Sequence, residues 1–162
     1  MLLIKKMGRE LITIREGDLA LRRIWNYLRY NNEKWMTIKI YIYTLFYRIC
    51  ILAIPKPRLE KMMGERGVES DLTENLDNLK IARRVGIHVN RITQHTMWES
   101  KCLVRAMTAR KLLKQKEIHS TLYLGVGKEE GKMVAHAWLR CGELYVTGGN
   151  GEGYAVVAKF KN

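Results

Sequence analysis

The sequence predicts an α+β fold in which a helix carrying a cysteine in its first turn packs on a small antiparallel sheet, preceded by an N-terminal helical extension. Two patterns predict the core. From Ser100 to Lys116, Ala106, Ala109 and Leu113 fall on one helical face together with Cys102. Beyond it, Thr121–Val126 and Met133–Arg140 alternate like strands around a Gly127–Gly131 turn (GKEEG), and a reversal at Cys141–Gly142 leads into Glu143–Thr147. With 162 residues, 47% of them hydrophobic, there is enough apolar material for one compact core.

Taken in order, Leu11–Ile14 reads as a short strand and Asp18–Tyr30 as a capped helix bearing Leu19, Arg22, Arg23, Trp25 and Leu28. Met36–Pro55 is rich in Ile, Leu, Tyr and Phe, but Lys39 and Arg48 interrupt it, and a spanning helix needs about 20 mainly apolar residues. A buried or partner-facing helix is expected there, ahead of peripheral membrane contact. Pro55 and Pro57 mark a break, and Gly64–Ser70 (GERGVES) reads as a linker into a helix from Asp71 to about Thr96, with Gly86 a candidate interruption. Residues 1–70 are thus expected to form a mainly helical extension and candidate partner-docking region, and residues 71–162 the core.

Ser100 is the expected N-cap of the cysteine helix, and basic residues gather toward its C-terminus. A thiol in the first turn sits beside unpaired N–H groups and the positive end of the helix dipole. Both stabilise a thiolate, and the N–H groups can also bind the oxyanion of an attacked carbonyl. The plainer reading of a lone cysteine is a small buried hydrophobe. His136, between Ala135 and Ala137 on a strand 34 residues later, has its own plain reading as a satisfied strand residue. Strand pairing ties the two together. With a two-residue turn at Cys141–Gly142, Arg140 faces Glu143, Trp138 faces Tyr145 and His136 faces Thr147 on one side of the sheet, the side expected to meet the helix start. Met133, Ala135, Ala137, Leu139, Leu144 and Val146 take the other side.

Cys50, Cys102 and Cys141 suggest no disulfide framework, and no Cys/His cluster has zinc spacing, so neither metal nor other cofactor is expected. No secretory signal is evident in Met1–Glu10, and a reducing cytoplasm is the expected compartment. The net charge of +13 is spread evenly: residues 1–90 hold 17 basic and 10 acidic side chains, residues 91–162 hold 12 and 6. Without a nucleic-acid motif, this reads as a solvated basic surface suited to an acidic peptide or protein, and no nucleic-acid partner is expected.

The ordered series Trp98-Glu-Ser-Lys-Cys102-Leu-Val-Arg-Ala-Met, Leu112-Leu113, Leu124-Gly-Val, Ala135-His136-Ala-Trp138-Leu and Tyr154-Ala-Val-Val-Ala-Lys-Phe resembles the transglutaminase-like cysteine peptidases of lasso-peptide biosynthesis, the B proteins that remove the leader from the precursor. The likeness covers roughly residues 71–161. It implies a transglutaminase/papain-like core, peptide-bond hydrolysis with Cys102 as nucleophile and His136 as general base, and a thioester intermediate hydrolysed by water. It also implies three partners: the precursor leader as substrate, a separate RiPP recognition-element protein, and an ATP-dependent macrocyclase, the lasso-peptide synthetase.

One departure stands out. The family commonly places an aspartate on the strand after the catalytic histidine, and this chain has none after Asp77. Thr147 takes the corresponding position and is the expected third member of the site; its hydroxyl can fix a tautomer but cannot stabilise imidazolium as a carboxylate does. Asn150 and Glu143 are alternative orienting groups. Trp98 is expected to line the cleft or anchor the helix entry, and Trp138 to border the substrate. A catalytically weak or inactive peptide-binding module on the same fold is the competing function, with a basic nucleic-acid-binding domain a third.

Overall fold

The computed structural model describes residues 33–162, so the strand expected at 11–14 and the helix at 18–30 lie outside the described residues. Lys39–Asn162 forms one compact unit. The elements of the described residues are α1 (Lys34–Ala53), α2 (Lys56–Met63), β1 (Glu65–Arg66), α3 (Leu76–Thr93), α4 (Cys102–Lys114), β2 (Thr121–Glu129), β3 (Lys132–Cys141), β4 (Leu144–Thr147) and β5 (Ala155–Lys161). The strands form one sheet in the order β1-β5-β2-β3-β4 with every neighbour antiparallel, giving the α+β class read from the sequence.

Pro55 and Pro57 separate α1 from α2, since proline fits a first helical turn but not a helix interior. By length and composition α1 could cross a membrane, with a mean hydropathy of 1.4, and 28% of that stretch is buried in the protein. The third helix begins at Leu76 rather than Asp71, because Asn75 caps it by accepting from Asn78 N at 2.7 Å. It also passes Gly86 unbroken. The bare Cα there lets the helix lie against β4, whose Val146 carbonyl occupies the space a Cβ would need.

The sheet buries Leu122, Leu139 and Phe160, which sit opposite one another across β2, β3 and β5. Helix α4 adds Ala106, Ala109 and Leu113, all fully buried as their spacing predicts. The β2–β3 turn is tighter than expected. Glu130 and Gly131 both take positive φ (50° and 79°), making a two-residue reversal that extends the strands to Glu129 and Lys132.

The next hairpin corrects the expected register. Its reversal is at Gly142–Glu143, so Cys141 belongs to β3 and pairs with Leu144. That turn sets Arg140 opposite Tyr145, and a bulge between Leu139 and Arg140 then sets Leu139 opposite Thr147. The Arg140/Glu143, Trp138/Tyr145 and His136/Thr147 pairs do not form.

The expected linker GERGVES is instead a strap. Its Glu65–Arg66 pairs with β5, and Glu69–Asp71 closes over Arg140, which is 4% exposed. Arg140 donates to Tyr123 Oη (2.9 Å), Gly142 O (2.7 Å), Ser70 O (3.0 Å) and Glu69 Oε2 (3.1 Å). Ser70 N donates to Thr121 Oγ1 at 2.7 Å, and Lys159 Nζ meets Glu69 Oε1 at 2.8 Å. A buried guanidinium is tolerable only with its donors spent in this way.

The hydrogen bonds from Lys159 and then Tyr123 hold the Glu69 carboxyl below the usual carboxylate range. A depressed folded-state pKa contributes stability above the ordinary carboxylate pKa, and that stability is lost as pH falls through the folded value. Because the side chain is 38% exposed, solvent screens the gain. Glu69→Gln is expected to lose about 1 kcal/mol at neutral pH and to flatten the acid limb of stability. Urea titrations at neutral and acidic pH measure both, and an acid limb unchanged in the variant would remove Glu69 from this role.

Candidate active site

Helix α4 begins at Cys102 itself. Lys101, not Ser100, is the N-cap, and it has no side-chain acceptor to offer the first-turn N–H groups. Ser100 is used elsewhere: its Oγ lies 3.0 Å from Thr96 Oγ1, and its carbonyl accepts from Arg105 Nε at 2.8 Å. The half-buried Cys102 therefore stands at a helix start whose amides no cap consumes. Those amides are suited to receive negative charge.

His136 projects from β3 opposite Gly125 of β2. Its Nε2 lies 2.7 Å from the Gly148 carbonyl. A carbonyl can only accept, so this bond puts the proton on Nε2 and leaves Nδ1 of the neutral ring with the lone pair a general base needs. The ring stacks on Trp138 (5.9 Å between centroids) and tilts against Tyr154 at 4.7 Å. Trp138 also stacks on Tyr123, at 5.4 Å.

Tyr154 joins the two candidate groups. Its hydroxyl donates to Glu129 Oε1 at 2.5 Å, and that carboxylate pushes the phenol pKa up. The Cys102 sulfur adds a smaller push in the same direction, so it lies within electrostatic reach of the phenol whose ring touches His136. Glycines make this approach feasible: a Cβ at Gly125 would come within 2.8 Å of the Trp138 ring, and one at Gly148 (φ +79°) within 2.9 Å of the Trp138 Cα.

Thr147 is placed differently from expectation. It pairs with Leu139, is 2% exposed, and its hydroxyl has no hydrogen-bond partner. The next residue's backbone carbonyl takes the acceptor position at His136. Asn150 accepts from Glu152 N and is exposed, leaving it turned to its own loop. Trp138 is 3% exposed, a packing post beneath His136 rather than an open cleft wall. Trp98 is half-buried, with its ring edge against Tyr41 of α1 at 6.3 Å and its Nε1 buried without a partner, so it fastens the entry of α4 to α1. The Gly148 carbonyl and Tyr154 escaped sequence reading. Tyr154 stood inside the matched C-terminal stretch, whereas nothing in a sequence marks which backbone carbonyl will meet an imidazole.

Among the described residues no group of three or more His, Cys, Asp or Glu side chains converges in a metal-binding arrangement. A family model described as the transglutaminase-like superfamily matches residues 53–159. The chain belongs to the transglutaminase-like superfamily. Members of the transglutaminase-like superfamily are often cysteine peptidases or acyltransferases, which fits a cysteine at the start of a helix that packs on the strand carrying a histidine. No curated protein and no solved structure matches the chain.

Two outcomes follow from this geometry. Burial pushes the Cys141 thiol up to about 11 and raises that of Cys50, and both side chains are buried. Brief iodoacetamide treatment of the folded protein at neutral pH is therefore expected to label Cys102 first, as read by peptide mass spectrometry. Thr147→Val removes an unpaired buried hydroxyl, so unfolding titrations should show unchanged or higher stability, by about 1 kcal/mol. Activity should persist in that variant; its loss would return Thr147 to the catalytic set.

Proposed function

We propose that the protein is a cysteine peptidase that removes the leader from a lasso-peptide precursor. The observation that supports this reading is His136, held by the Gly148 carbonyl and lying against Tyr154, on a strand packed by the helix that starts, uncapped, at Cys102. His136 Nδ1 takes the proton from the Cys102 thiol, and the sulfur attacks the scissile carbonyl. The first-turn amides of α4 bind the resulting oxyanion. Collapse of that intermediate breaks the C–N bond, with the proton on His136 passing to the leaving amine. Water, deprotonated by the same nitrogen, then hydrolyses the thioester and frees the sulfur.

Nothing in this scheme needs a carboxylate to orient the imidazole, because the Gly148 carbonyl fixes the tautomer. It does lack the carboxylate's stabilisation of imidazolium, so slow turnover is expected in the absence of a partner. The partners in this reading are the precursor leader, a separate RiPP recognition-element protein and the lasso-peptide macrocyclase, acting in a reducing cytoplasm that keeps Cys102 a thiol. The hydrogen bond to a neutral carbonyl also favours one competing reading, a weakly active or inactive peptide-binding module on the same fold.

A mass-spectrometric cleavage assay separates the two. It uses a leader-bearing precursor encoded nearby and the recognition protein. Wild type is expected to release the leader. Cys102→Ala should abolish release, and His136→Ala should lower it by at least about a hundredfold, the scale of lost general-base catalysis. Equal binding with no cleavage by wild type and Cys102→Ala would establish the binding module.

A further inference from the structure

Away from Cys102 and His136, α1, α2 and α4 enclose a pocket of about 660 Å³ whose lining includes Ile42, Phe46, Tyr47, Lys61, Arg110 and Lys114. Arg110 lies eight residues after Cys102, about 12 Å along the α4 axis. It is only 5% exposed. Among the described residues its one hydrogen bond runs from Nη1 to Met62 O at 3.1 Å, and its Nε has no partner there. Among the described residues, none of the ion pairs involves Arg110 or the rim lysines Lys61, Lys111 and Lys114. Burial keeps the neighbouring Tyr47 phenol protonated, so it supplies no counter-charge.

The contrast with Arg140 is informative. Arg140 is equally buried, but it has a carboxylate and four further acceptors. A buried guanidinium left with one carbonyl is costly unless something else meets it. Beside it, α1 presents Ile42, Leu45, Phe46 and Ile49 at helical spacing, each more than 40% exposed. The basic pocket therefore opens beside an apolar ridge.

We propose that this pocket binds an acidic amphipathic segment of a polypeptide, with a carboxylate seated on Arg110 between the rim lysines and apolar side chains laid on the α1 ridge. Charge complementarity and the planar guanidinium fork select a carboxylate, and the ridge selects the apolar residues flanking it. Only the choice of a polypeptide as occupant rests on the peptidase reading. The site itself needs no chemistry at Cys102, so binding and cleavage fail separately.

The probes are a short synthetic peptide alternating Glu with Leu, its Gln-for-Glu counterpart, and phosphatidylglycerol vesicles, each titrated against the full-length protein by fluorescence anisotropy or co-sedimentation. The Glu peptide is expected to bind, and the Gln peptide to bind at least about tenfold more weakly, as loss of a charge-assisted contact implies. The exposed rim changes Lys61→Glu and Lys114→Glu should each weaken the Glu peptide several-fold without touching the core. Arg110→Met, which keeps the volume and removes the buried charge, should lose binding while unfolding no earlier than wild type. Cys102→Ala should bind as wild type. Equal binding of the Glu and Gln peptides, binding indifferent to the rim changes, or association with vesicles but not with the peptide would each overturn the proposal, the last in favour of a membrane surface.

Discussion

Trp138 is the constraint on which the active-site face depends. Its indole fills space left by glycines on both β2 and the loop after β4, where a Cβ at Gly125 or Gly151 would collide with it. The ring stacks on both His136 and Tyr123, and Tyr154 tilts against the imidazole, so His136 is held among aromatic rings. Because the loop can cross so close to the indole, its Gly148 carbonyl reaches His136 Nε2. Stacked rings in a packed interior have little freedom to turn, which is what a base of fixed tautomer requires.

A second, polar layer holds the same sheet from the strap side. Tyr123 lies under Trp138 and also accepts from Arg140, while its own hydroxyl donates to Glu69. The aromatic stack and the buried ion network thus share one phenol. Burial raises the pKa of that phenol, which keeps it a neutral donor between a carboxylate and a guanidinium. The strap, the central hairpin and β5 are tied through Glu69, which accepts from Arg140, Tyr123 and Lys159 together.

Much of this was legible in the sequence. Helical spacing located α4 and its buried Ala106, Ala109 and Leu113, and alternation located the β2–β3 hairpin with His136 and Trp138 on one face. The failures have separate physical causes. The turn sits one residue later than expected and a bulge inserts a residue without any compositional mark, so the pairing of β3 with β4 slipped, and with it the role assigned to Thr147. Polar residues read as a linker because their partners, Arg140 and Thr121, lie some 50 to 70 positions away. Gly86 suggested a break because a glycine's helix-breaking tendency is visible in the sequence, whereas its close approach to Val146 is visible only in the fold.

The bond between His136 and Gly148 has one more consequence. An orienting carboxylate is encoded by a single codon and can be lost by one nucleotide change. A main-chain oxygen is present whatever residue occupies the position. The acceptor at His136 is thus shielded from direct deletion by substitution and exposed only to changes that redirect the loop. The same arrangement removes a means of tuning: with no side chain to exchange at that point, selection could adjust the basicity of the imidazole only through the rings and helix end around it.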